Sequence, residues 1–220
     1  DGEATSSVSN FMYAEANIVS FFDKTGTRLS SDLLNIKATG IQRYEYTLDF
    51  WNSFDDYDTR RDATFFEYYK KDTQSDNYIL AGTVLRKFMG SINSTNARVF
   101  DTNLPVYRYA DVLLMLAEVE NMKGGDVAQY INQIRQRAYG SNWDATVHSY
   151  SNSTFKDNEY AILIERDREF VFEGTRWYDV VRMKDAVNGN SLAFDAAVTY
   201  GTTSLLPSGD KYKLLWPVDK

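Results

Sequence analysis

Between Pro105 and Gly140 apolar residues recur at helical spacing in two runs, and Gly124-Gly125 stands between them. Two amphipathic helices joined by so short a glycine turn have to lie antiparallel, each burying its stripe against the other. The first run opens on Pro105 at the first helical position and places Val106, Tyr109, Val112, Leu113, Leu116 and Ala117 on one face. At 3.6 residues per turn it predicts a helix of about five turns. Asp126 then offers an N-cap with Gln129 three residues on, a capping-box spacing. Val127, Ile131, Ile134 and Ala138 recur behind it as far as Gly140.

The flanking sequence builds around this pair. Ser141 to Asp157 reads as a polar loop holding Trp143, the lone His148 and Tyr150, and it is longer than most helix connections, a mark of loops that carry function. A third helix is expected over residues 159–173 and a fourth over 176–186, with Gly174 at their junction. After the turn Pro207-Ser208-Gly209-Asp210, the alternation of Tyr212, Leu214 and Trp216 predicts a strand of a small terminal β-hairpin. Residues 1–100 show weak periodicity and read as loops, short helices and a few short strands. Within them Tyr44, Tyr46 and Leu48 alternate, and Phe50, Trp51 and Phe54 then shift to helical spacing. The expectation is a mainly α fold with long loops: an irregular, aromatic segment over 1–100 and a helical core with a terminal hairpin over 101–220, in one domain.

Several function classes are disfavoured by composition. A chain of 220 residues with 43% hydrophobic content and three prolines can bury a substantial core. A net charge of −7 without a dense Lys/Arg stripe repels a phosphate backbone, so no nucleic-acid partner is expected. Cysteine is absent, which removes disulfides, thiolate metal sites and a cysteine nucleophile. A single His148 cannot make a transition-metal site alone, and no nucleophile elbow accompanies it. There is no P-loop and no G-x-G-x-x-G. In the acidic run from Asp55 to Asp62, Arg60 falls where an EF-hand-like calcium loop would need an oxygen, so Arg60 and Arg61 are expected to pair with those carboxylates. No cofactor and no metal is expected. No run of about 20 apolar residues could cross a bilayer as a helix. A chain beginning at Asp1 without a leader reads as a fragment or processed product.

The densest charge pattern is Glu165-Arg166-Asp167-Arg168-Glu169-Phe170, continuing to Glu173, Arg176-Trp177-Tyr178-Asp179 and Arg182. Glu165, Glu169 and Glu173 share a helix face, so two of them could be imagined as a glycosidase acid and base. Arginine-neutralised carboxylates, however, have lowered pKa values where a general acid needs a raised one. Glu165, Arg166, Glu169, Glu173, Arg176, Asp179 and Arg182 are therefore read as a structural ion-pair network between adjacent helices, and no catalytic residue is assigned.

Three of these segments together resemble the SusD/RagB family in order and spacing: Arg108-Tyr109-Ala110-Asp111-Val112-Leu113-Leu114-Met115-Leu116-Ala117-Glu118, then Ile131-Asn132-Gln133-Ile134-Arg135-Gln136-Arg137-Ala138, then the string from Glu165 to Arg182. Asp58-Thr59-Arg60-Arg61 resembles an upstream turn of such proteins and Leu215-Trp216-Pro217 a motif near their carboxy terminus. The resemblance implies the carboxy-terminal portion of a non-enzymatic, cell-surface outer-membrane lipoprotein. Such a protein binds oligosaccharides or other nutrients over a TonB-dependent, SusC-like transporter. It also implies that tetratricopeptide-like helices and the lipid anchor belong to an amino-terminal part not included in these residues. A scaffold that mainly docks the transporter is the competing reading, and a glycoside hydrolase a third. Family ligand residues sit in variable loops, so the ligand-binding candidates come from the residues themselves: Trp143 in the polar loop, Tyr44 and Tyr46 on one side of an extended segment, and Trp51 beside them.

Overall fold

A computed structural model of the protein describes residues 19–30, 45–200 and 203–215. The chain forms two compact units, one of residues 1–54 and 61–104 and the other of residues 55–60 and 105–220.

The first unit contains α1 (Leu48–Asn52), most of the short α2 (Thr59–Thr64), an antiparallel hairpin of β1 (Phe65–Lys71) and β2 (Tyr78–Leu85), and the minimal ladder of β3 (Ser91–Ile92) with β4 (Arg98–Val99). Thr47 caps α1 through its side chain, taking the Phe50 amide. The hairpin pairs Phe65 with Leu85 and Lys71 with Tyr78, with a bulge between Tyr68 and Tyr69. Its turn is built by Asp72, whose carboxylate accepts from the Gln74 amide and the Ser75 hydroxyl. Phe50, Phe54 and Phe65 meet edge to face at 5.3 to 6.2 Å and form this unit's core with Val84 and Leu85. Gly82 faces Tyr68 across the hairpin, where a Cβ would collide with the phenol end.

The second unit is helical, in keeping with the mainly α expectation. It holds α3 (Tyr109–Lys123), α4 (Ala128–Tyr139), α5 (Ala145–His148), α6 (Phe155–Glu169) and α7 (Arg176–Arg182), followed by single 3-10 turns. Gly124 closes α3 in the left-handed conformation, with φ at 71°. Asp126 does accept from the Gln129 amide, and Asn152 Oδ1 takes the Val127 and Ala128 amides from across the unit. The core joins Leu113, Leu114 and Ala117 of α3 to Val127, Ile131 and Ile134 at α4, Ile162 and Leu163 of α6, and Val180 of α7.

Four expectations need correction. The first helix begins at Tyr109, because Arg108 is extended and sends its guanidinium to Glu169 and Glu173. Its buried face is Ala110, Asp111, Leu113, Leu114, Ala117 and Asn121, whereas Val106, Tyr109, Val112 and Leu116 are exposed. Residues 141–157 are not one open loop: Asp144 caps α5, and Thr154 with Asp157 starts α6 four residues ahead of the expected Glu159. That helix stops at Glu169, ahead of left-handed Phe172 and Gly174, and α7 stops at Arg182 because Met183 turns extended. Finally, Tyr212 and Leu214 lie in a 3-10 turn, Lys211–Leu214, not a strand. Successive i to i−3 bonds from Asp210, Lys213 and Leu215 wind this stretch, and Trp216 lies outside the described residues.

Candidate functional site

The charged string occupies the centre of the second unit. Glu165 is fully buried: its Oε1 lies 2.7 Å from Arg60 Nη1, and its Oε2 accepts from Arg135 Nε at 2.9 Å. Arg60 is also gripped by Asp58 through Nε and Nη2, at 2.9 and 2.7 Å. One turn on, Glu169 receives Arg108 at 2.8 Å, Arg60 at 3.3 Å and Arg137. Burial alone would raise its pKa, but the Arg137, Arg108 and Arg60 guanidiniums outweigh that and hold it at about 2. Arg108 forks onto Glu173 and lies over the Phe170 ring.

On the other side of α6, Arg166 lies 2.9 Å from Asp111 and 2.8 Å from Asp179, at ion-pair distance but off the line of a hydrogen bond. Arg182 bridges Asp179 to Glu118. Asp167 pairs with Arg176 and accepts from Tyr200 at 3.0 Å, yet its Oδ1 is buried with no partner among the described residues. Burial pushes this carboxyl up to about 6 despite Arg176. The sequence reading left Arg108, Arg135, Arg137, Asp111 and Glu118 out of this network and confined Arg60 to its own acidic run; only the unusual density of Arg and Glu hinted that more partners were needed.

This arrangement orients helices and leaves little for chemistry. Glu165 and Glu169 each face two or more guanidiniums and are buried, so neither can reach a substrate. In the acidic run, Asp58 is committed to Arg60, Asp55 accepts from the Tyr57 amide, and Asp62 lies 3.4 Å from Arg61. No three His, Asp or Glu side chains are placed to hold a metal ion among the described residues.

The aromatic candidates fall in both units. Tyr44 lies outside the described residues. In the first unit Tyr46 is half-buried, its ring 5.4 Å from Phe50 and 5.6 Å from Phe65, and Trp51 is half-buried with the Arg61 guanidinium 4.7 Å from its ring. In the second unit Trp143 is half-buried beside His148 and edge-on to Tyr139. The His148 ring stacks on Tyr139 at 4.1 Å, and its Nδ1 accepts from the Asp144 amide at 2.9 Å. Tyr57, 59% exposed, stands 6.5 Å from the same imidazole. Tyr57 did not stand out in the sequence, because it sits in a run of carboxylates that reads as a turn.

The second unit is thus a helical body centred on a buried Arg–carboxylate network. The chain belongs to the SusD family, whose model matches residues 2–205. It is similar to SusD-like protein P38 of Formosa agariphila, 41% identical over 91 residues, which is 40% of this chain and 18% of that protein. The starch-binding protein SusD of Bacteroides thetaiotaomicron is 35% identical over 82 residues, 37% of this chain and 13% of that protein. Among solved structures, a SusD superfamily protein of Bacteroides fragilis superposes with a TM-score of 0.91 at 40% identity, over all of this chain and 46% of that one. Bacteroides fragilis NanU gives 0.70 at 32% identity, over 93% of this chain and 42% of that one. The chain thus spans less than half the length of the relatives it matches.

Proposed function

We propose that this chain is part of a cell-surface protein that binds glycan without cleaving it and passes it to a TonB-dependent, SusC-like transporter in the outer membrane. Family membership is the observation that carries the reading, supported by 35% identity to a starch-binding relative over 82 residues. Commitment of Glu165 and Glu169 to arginine argues against a glycosidase pair built from them. A lipid anchor would hold the protein at the surface; among the described residues no helix is long and apolar enough to cross a membrane. Trp143, beside His148 and Tyr139, remains the candidate contact, while Tyr46 and Trp51 share their rings with Phe50, Phe65 and Arg61.

The test is calorimetric titration of the full-length protein with purified oligosaccharides, run beside an assay for reducing-end release. Binding without release is expected, and release would overturn the reading. A docking role has its own support: Tyr109, Val112, Leu116, Val119 and Met122 give α3 an exposed apolar stripe opposite its buried one. Loss of transporter co-purification in Leu116→Asp, with glycan binding intact, is the result expected of that role.

A further inference from the structure

The rings gathered around His148 bring several unused polar atoms together in one place. His148 is 7% exposed, and its Nδ1 is occupied by the Asp144 amide, so the neutral ring carries its proton on Nε2. No hydrogen bond among the described residues uses that Nε2, the Tyr57 hydroxyl or the Trp143 indole N–H, and none of the three is a buried atom stranded without a partner. The ring centroids of Tyr57 and Trp143 lie 6.5 and 5.9 Å from that of His148, and Tyr139 stacks beneath the imidazole. Three polar handles on flat apolar rings are therefore open in one small patch.

Local folding holds the patch in place. Thr59 ties the segment carrying Tyr57 to the end of α4 by donating to the Ala138 carbonyl at 2.6 Å. Asp144 fixes α5 from both sides, its carboxylate on the Thr146 amide and its own amide on His148. Arg135 holds the His148 carbonyl at 3.0 Å. A platform set this way loses little freedom when something settles on it.

We infer that Tyr57, Trp143 and His148 form a contact site for a neutral pyranose residue of a glycan. A pyranose has an apolar C–H face that suits an aromatic ring and a rim of hydroxyls that can meet the phenol, the indole N–H and the imidazole N–H. Local charge selects against acidic sugars. Asp55, Asp56 and Asp144 are exposed beside the rings and outnumber Arg135 and Arg168, the cations that act on Tyr139, of which Arg135 is engaged by Glu165. The inference rests on the glycan-binding reading and adds to it a location and a ligand class.

The full-length protein is titrated calorimetrically with maltoheptaose, cellohexaose, xylohexaose and mannohexaose, and with hexagalacturonate as the anionic comparison. Binding of at least one neutral glycan is expected, with a drop of tenfold or more in Tyr57→Ala and in Trp143→Ala at an unchanged thermal midpoint. Ligand-dependent quenching of indole fluorescence should vanish in Trp143→Phe, a variant that keeps a ring to fill the site. Parent-like affinity in both alanine variants would discard this site and leave the glycan-binding reading standing. Preference for hexagalacturonate would overturn the ligand class, and absence of binding to every sugar would overturn the site and the reading together.

Discussion

Replacing Glu165 by leucine probes the charged core at its most buried point. The side chain is 0% exposed, and its two guanidinium partners, on Arg60 and Arg135, are 10% and 18% exposed. Removing one member of a buried ion pair costs about 3–5 kcal/mol, because the partner charge stays desolvated. Neighbours soften the loss here: Arg60 keeps Asp58 and Glu169, and Arg135 keeps the His148 carbonyl. The lower end, about 3 kcal/mol, is therefore expected. In a chain of this size that lowers the melting temperature by about 6–12 °C. Urea unfolding followed by far-ultraviolet circular dichroism reads the change. Asp76→Asn serves as the exposed control, since Lys71 and Asp76 form a solvent-screened surface pair.

The same reasoning fixes a double-mutant cycle. Arg135→Met alone leaves Glu165 with one cation, but in the Glu165→Leu background it removes a guanidinium that has already lost its carboxylate. The double variant should be less destabilised than the sum of the singles by about 1–3 kcal/mol. Additive losses, or a Glu165→Leu variant within about 0.5 kcal/mol of the parent, would refute the claim that this pair orients the helices.

Two carboxyls give opposite pH dependences. Glu169 is held at about 2 against an ordinary 4.5, so its stabilisation is complete above about 4.5 and is lost as pH falls toward 2; comparing Glu169→Gln with the parent in unfolding curves from pH 2.5 to 7 should isolate a term of about 3 kcal/mol. Asp167 is raised from 3.8 to about 6, so the folded state takes up its proton first and the stability it contributes falls as pH rises from about 4 to 6; Asp167→Asn should flatten that limb. In the first unit, Gly82→Ala should displace the Tyr68 phenol from Glu45 at a cost of about 1 kcal/mol, read as a lower urea midpoint with the m-value unchanged.

Much of the helical unit could be read from local chemistry. Gly124 ends α3 as its position after a periodic run requires, and the Asp126–Gln129 contact forms as spaced. Thr154 and Asp157 were an equally plain cap, but the polar residues around them masked it as loop. The terminal alternation of Tyr212, Leu214 and Trp216 was too short to separate a strand from a tight turn, and only the bonds made by Asp210, Lys213 and Leu215 distinguish them. Tyr46 and Trp51 illustrate the same gap at the candidate site. Alternation placed Tyr46 on an extended segment and helical spacing placed Trp51 after it, and only three-dimensional packing reveals Phe65 and Arg61 against their rings.

The clearest lesson lies in α3, which carries two apolar stripes. Tyr109, Val112, Leu116 and Val119 compete with Ala110, Leu113, Leu114 and Ala117, and a 3.6-residue period cannot say which set is covered. Polar residues decide it. Asp111 and Asn121 lie on the second stripe, and each costs free energy to bury unless a partner waits opposite. Across from them α6 supplies Arg166 for Asp111, while Asn158 and Glu159 answer Asn121 through bonds of 3.0 and 3.3 Å. Complementary polar groups at matched heights on two helices therefore specify the pairing face, while apolar content only permits it. Leaving the first stripe outside is the corollary: a helix that spends its polar residues inward presents hydrophobic side chains outward, where they are available to another body.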